Sequence, residues 1–270
     1  MPVEDTNSIG MKFRLIPPGE FTMGTSVDDA LEIIKTAPDW AKAVVLSETP
    51  PRKELIAEPF YLGTTEVTVG QFKQFVAATN YKTYAERNGS GGVVYTGKGF
   101  ETKPEYTWQH PDMTKSDSHP VGQLCREDAN AFCRWLQSLE QRTYQLPDEE
   151  QWEYACRAGT TTPWSFGTDD EMLQLHELTD WNFCFTGRAV AQKPANPFGL
   201  FDVHGNLDEM CRCRSGDYIN HGGTCGKQRE MARSASRGDR LDGLRTYFQQ
   251  SFRVAIVGNL KPSPTSPTTN

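Results

Sequence analysis

Phe, Leu, Ile and Val together supply only 52 of the 270 residues, about a fifth of the chain. So low an aliphatic share, joined to a high net charge, marks a disordered chain. Here the charge is modest, −7 from 28 basic and 35 acidic side chains, and 14 Phe, 9 Tyr and 6 Trp stand in for the missing aliphatics. Rings bury much area per residue, so the composition predicts a loop-rich domain with an aromatic core. At this length one large domain is expected. No apolar run approaches the length of a membrane helix. The opening MPVEDTNSIGMKF has no basic stretch followed by an apolar one, which predicts no signal peptide and a cytoplasmic location. The net negative charge argues against nucleic acid as a partner.

The seven cysteines are an odd number, and no two stand in a CxxC pair. Reduced thiols are therefore expected rather than a disulfide framework. Cys211 and Cys213 are too close in sequence for a zinc knuckle, and Cys225 adds no ligand spacing, so these three are expected to be thiols without a metal.

Local signals place the elements. Residues 1–10 read as a polar lead-in, and 11–25 as two short strands about a Pro-Pro-Gly turn. Ser26 caps a helix to residue 35, and a second helical piece covers 40–45. Residues 59–69 read as a strand, and Thr68 caps a helix ending at Thr79. From Tyr81 to Pro120 no clean period appears, which predicts a structured loop with one hairpin. Two further helices are expected at 126–141 and 146–159, the latter with Asp148 and Gln151 as a capping box. Later strands are expected at 199–203, 218–222 and 251–257. The Pro/Ser/Thr-rich end, 259–270, reads as disordered.

Several segments, in this order, carry a resemblance: IPPGEFTMG (16–24), PFYLGTTEVTVGQFKQFV (59–76), DANAFCRWL (128–136), YQLPDEEQWEYACRAGT (144–160), NPFGLFDVHGN (196–206), RSASR (233–237) and FRVA (252–255). Over about 11–258 the chain resembles the formylglycine-generating enzyme, or sulfatase-modifying factor, domain family. The resemblance implies an α+β, C-type-lectin-like fold, loop-rich, with short twisted sheets and a few helices. In that family two cysteine thiolates hold copper in an oxidase that converts a substrate cysteine to formylglycine. Carried onto this sequence, those positions are Lys227 and Ala232, and neither is a thiolate ligand. No copper and no oxidase catalysis are therefore expected. The family's structural calcium loop maps onto Asp202, Gly205, Leu207 and Glu209, two carboxylates and two carbonyls, a donor set suited to a hard cation.

The departures from the family cluster in 207–251. Asp208 and Met210 replace two tryptophans. Diversity-generating retroelement variable proteins, which share this scaffold, randomise such surface positions from asparagine codons. Asp208, Cys213, His221, Cys225, Asp239, Leu241, Asp242, Leu244, Thr246, Tyr247 and Phe248 all belong to the set reachable from those codons. Lys227 and Arg229 add local positive charge in an acidic protein. Together these residues, with Met210, are the expected ligand-facing set of a non-catalytic recognition protein, its partner a protein or small molecule. The alternatives are a divergent oxidase acting on sulfatase cysteine and a regulatory module of the kind that accompanies bacterial signalling proteins.

Overall fold

The N-terminal strand β1 (Glu4–Thr6) pairs antiparallel with β2 (Lys12–Ile16) at the edge of a five-stranded sheet. In this computed structural model the described residues are 3–96, 98–110, 116–169, 172, 187–223, 229–238 and 246–261. The expected polar lead-in is thus corrected: its middle residues are part of the sheet. The cause is a buried ion pair that local sequence does not announce. Arg142 Nη1 bonds Asp5 Oδ2 at 2.5 Å, with both side chains almost fully buried.

After β2 the chain forms β3 (Gly19–Met23), then α1 (Val27–Thr36) and α2 (Asp39–Ser47), and returns as β4 (Arg52–Ile56) beside β3. Ser26 caps α1 as expected, its Oγ accepting from Asp29 N–H at 3.1 Å. β5 (Phe60–Gly63) ends earlier than expected because residues 64–66 turn out of the sheet. Thr68 and Gln71 then form a reciprocal capping box that starts α3 (Val69–Thr79). A single turn, α4 (Tyr84–Arg87), leads to the hairpin β6 (Gly92–Tyr95) and β7 (Phe100–Lys103).

Helix α5 (Arg126–Glu140), strand β8 (Thr143–Gln145) and helix α6 (Glu149–Arg157) follow, with Gln151 Oε1 accepting from Asp148 N–H at the start of α6. β9 (Asp208–Arg212) and β10 (Tyr218–His221) are antiparallel, and β11 (Gln250–Ser251) joins β9 in parallel. β12 (Ala255–Val257) inserts between β5 and β8, antiparallel to both, giving the order β1-β2-β5-β12-β8. Two strand expectations need correction. Residues 199–203 form turns, with Asp202 at φ 59°. The expected 251–257 strand is broken at 252–254, where the chain passes from the three-stranded sheet to the five-stranded one.

The aromatic core appears as expected. Phe72 and Phe75 of α3 meet Phe132 of α5 at ring distances of 6.0 and 5.7 Å, and Trp108 and Phe252 close the cluster. A second cluster packs Trp152 and Ala155 of α6 against Phe60, Leu62 and Leu200. Leu260 is buried in the first cluster, so the chain stays packed beyond 258; residues 262–270 lie outside the described residues. Among the described residues no helix is long and apolar enough to cross a membrane.

Candidate functional site

The expected calcium loop runs from a turn into β9 and places its two carboxylates in the interior. Asp202 and Glu209 are both buried. They meet different fates. Glu209 accepts from Arg253 Nε at 2.9 Å and Nη2 at 2.7 Å, and from the Trp152 indole N–H at 2.8 Å. Arg253 also donates to the carbonyls of Gly63 and Phe201, both at 2.8 Å. One Asp202 oxygen accepts from Ala191 N–H at 2.7 Å, and its Oδ1 has no partner among the described residues.

A third carboxylate, which the sequence reading missed, joins them. Glu66 is fully buried, and neither of its oxygens receives a well-formed hydrogen bond among the described residues. Burial, then the negative charges of Asp202 and Glu209, push its carboxyl well above the ordinary range, against the pull of Arg253. Burial likewise pushes Asp202 up to about 6, opposed by the Ala191 N–H and Arg253. One guanidinium thus serves three buried carboxyl groups. The signal for Glu66 is an acid inside the β-branched stretch GTTEVTV, but nothing local shows which way it faces.

For a hard cation the donors fit in part. Asp202 offers one orphaned oxygen and Glu66 two, and an uncompensated buried carboxylate is costly. Glu209, expected as a ligand, is already spent on Arg253 and Trp152. Among the described residues no group of three or more His, Cys, Asp or Glu side chains is gathered to hold a metal ion.

The expected ligand-facing set divides sharply, and much of it is corrected. Met210 belongs to the main core cluster, and Asp208 is buried on β9 opposite Gln250 of β11. His221 is buried, its ring stacked on Trp152 at 4.9 Å; burial, then the nearby Arg237, push its imidazole down to about 3, so it stays neutral. Phe248 is buried against Val94, with Tyr95 and Tyr106 beside it, and the Thr246 carbonyl accepts from Val93 N–H at 2.9 Å. These residues are interior because segment 246–250 covers the β6–β7 hairpin and pairs with β9. Polar letters near a chain end read as surface, but here they fill the space between sheets. Tyr247 is half-buried, Cys213 is half-exposed after β9, and Arg229 is exposed. Cys225, Lys227, Asp239, Leu241, Asp242 and Leu244 lie outside the described residues.

Cys125, Cys133 and Cys211 are buried thiols. Burial pushes Cys125 and Cys133 up to about 12, and Cys211 well above its ordinary value, so all three stay protonated.

Around position 232 the chain is held tightly. Ala232 is buried in a cluster with Trp164, and Phe166 packs beside them. Its carbonyl lies 2.8 Å from His204 Nδ1, so that nitrogen is the donor. His204 Nε2 is then left as an acceptor, and it receives Ser165 N–H at 2.9 Å with Ser165 Oγ also at 2.9 Å. One neutral imidazole therefore ties three loops together. Gly223, at φ 71°, approaches the same turn so closely that a Cβ would sit 2.7 Å from the Met231 carbonyl oxygen. Arg233, next in the chain, is buried and bonds Glu48 twice, at 2.8 and 2.7 Å.

The sequence matches the sulfatase-modifying factor enzyme 1-like domain over residues 3–258. It is 28% identical to the formylglycine-generating enzyme of Mycobacterium tuberculosis over 204 residues, covering 60% of this chain and 66% of that protein. The mouse formylglycine-generating enzyme is also 28% identical, over 72% of this chain and 56% of its own length, so the chain spans between half and two thirds of these curated relatives. The mouse protein named inactive C-alpha-formylglycine-generating enzyme 2 is 25% identical over 94% of this chain and 82% of its own. Among solved structures, PvdO from Pseudomonas aeruginosa superposes with a TM-score of 0.72 at 22% identity, covering 95% of this chain and 98% of that one. Treponema denticola variable protein 1 does so with a TM-score of 0.64 at 16% identity, over 95% and 99%. On the extent of the sequence match, the chain belongs to the sulfatase-modifying factor enzyme 1-like domain family.

Proposed function

We propose that this chain is a non-catalytic recognition protein built on the formylglycine-generating-enzyme scaffold. The observation that carries the reading is position 232. Where the resemblance puts a copper thiolate there is a buried methyl group, packed on Trp164 and anchored through its carbonyl to His204. The other thiolate position is Lys227. The relative named inactive, aligned over most of the chain, agrees with this reading, and so does the likeness of fold to a variable protein. Asp208, Met210, His221, Thr246 and Phe248 are buried, so they do not contribute to a recognition surface. Incubation with a sulfatase-derived cysteine peptide and copper should give no formylglycine by mass spectrometry. Conversion of the peptide would establish the divergent oxidase instead.

Calcium at the 202–209 loop is a second part of the proposal. Asp202, with Glu66 in place of the Arg253-bound Glu209 and the carbonyls of Gly205 and Leu207, would hold it. When bound, the ion supplies positive charge that lets both free carboxyl groups ionise inside the fold. Without it, folded Asp202 keeps a proton, up to about 6, that the unfolded chain releases near 3.8. In chelator, stability should therefore fall as pH rises through that window, because the folded state binds more protons there. With calcium the fall should disappear, and a free-ion level about 100 times Kd adds about 2.7 kcal/mol. Melting curves at about pH 5 and about pH 8, with and without chelator, measure this. An identical pH dependence in both conditions would reject the ion.

A further inference from the structure

Between α1, the loop at 163–168 and the turn at Arg229–Ala232 lies a cavity of about 320 Å³. Small-molecule sites begin at about 300 Å³. Ile33, Pro163 and Trp164 give it an apolar wall, and Arg229, Glu230 and Arg233 give it a charged one. Thr36 and Thr168, which also line it, are exposed.

Both cations of the charged wall are engaged. Arg233 holds Glu48 through two short bonds and donates to the Glu230 carbonyl at 2.8 Å. Arg229 has a further interaction besides its approach to Glu230. The Glu230 carboxylate is different. The residue is only 9% exposed, and the one ion-pair contact of its side chain among the described residues is Arg229 Nε, 3.5 Å from Oε1. That is well beyond the 2.7–2.9 Å of a tight charge-assisted bond. A carboxylate so far withdrawn from water and so weakly paired is costly to the fold. The apolar wall beside it is rigid: Trp164 lies parallel to Phe166 at 5.9 Å, and its neighbour Ser165 is fixed by His204. A rigid wall lowers the ordering cost of binding, and an indole face attracts cations.

The partner this wall lacks is therefore a cation with an apolar body. We infer that the cavity binds an organic ammonium ion, a primary amine on an aryl or branched-alkyl chain. Its ammonium meets the Glu230 carboxylate, and its body lies against Ile33, Pro163 and Trp164. A ligand anion has no such counterpart, because both arginines are already engaged. The inference rests on the recognition reading, yet the two fail separately: peptide oxidation would sink that reading, whereas only binding data decide this one.

The test is titration calorimetry on the full chain with phenethylamine and 3-methylbutylamine. 2-Phenylethanol, which keeps the shape without the charge, and 3-phenylpropionate, which reverses the charge, serve as controls. Both amines should bind, and each control should bind at least about tenfold more weakly, the loss of one charge-assisted contact. Glu230→Gln keeps the shape of the wall and removes its charge, so it should weaken phenethylamine by at least about tenfold. Thr36→Trp, on the exposed end of α1, should fill the cavity and remove the binding heat. Melting curves show whether each variant is folded. Absence of heat at about 10 mM amine overturns the inference. So does a control that binds as tightly as the amines, or amine binding undiminished in folded Glu230→Gln. Should Glu230→Gln not fold, Thr36→Trp decides, and full binding to that variant overturns the inference.

Discussion

Replacing Arg253 by alanine should cost about 3–5 kcal/mol, the penalty for stranding a buried charge. That is a large part of the roughly 5–15 kcal/mol that stabilises an ordinary domain. The arginine is fully buried and its partner Glu209 equally so. Its loss would also remove a cation that offsets Glu66 and Asp202, and leave the carbonyls of Gly63 and Phe201 without this donor. The double change Arg253→Met with Glu209→Leu should recover much of the loss, because it removes both charges together. Denaturant midpoints for the two variants measure this. A single variant within about 1 kcal/mol of the parent would show that the pair is not buried as described.

Glu48→Ala should be nearly as damaging, also about 3–5 kcal/mol. Glu48 caps the end of α2, is buried, accepts both Arg233 bonds and also accepts from Thr25 Oγ1 at 2.6 Å. It therefore fastens the α1–α2 hairpin to the turn at 229–233. Glu48→Gln keeps the shape and one acceptor, so it should recover part of the loss. A neutral Glu48→Ala, read by urea unfolding, would mean that the hairpin is not anchored there.

Elements with local signatures were legible in the sequence. Ser26, Thr68 with Gln71, and Asp148 with Gln151 each mark a helix start by side chains that reach only three residues along the chain. The one hairpin expected somewhere in 81–120 lies at 92–103, and the strand expected at 218–222 covers 218–221. β9 was not legible. DEMCR shows no alternation because both of its faces are covered, and its acids are neutralised from far away; Glu209 and Arg253 are 44 residues apart. The same blindness misplaced the recognition set. Asp208 and His221 read as surface residues until the sheet that buries them is known. Glu66 escaped notice because its environment comes from the 202–209 loop and Arg253.

The place of β12 has a consequence for how the chain is made. It is the fourth strand across the main sheet but the last to be synthesised. Until residues 255–257 leave the ribosome, β5 and β8 each present an unpaired edge, and such edges recruit other chains. The partner of β8 in sequence, α5, cannot close that gap, because the missing hydrogen bonds belong to a strand. Closure therefore joins segments about 190 residues apart in sequence, a slow and late contact. A chain that ended before residue 255 would lack the strand that seals the sheet and would present two unpaired edges.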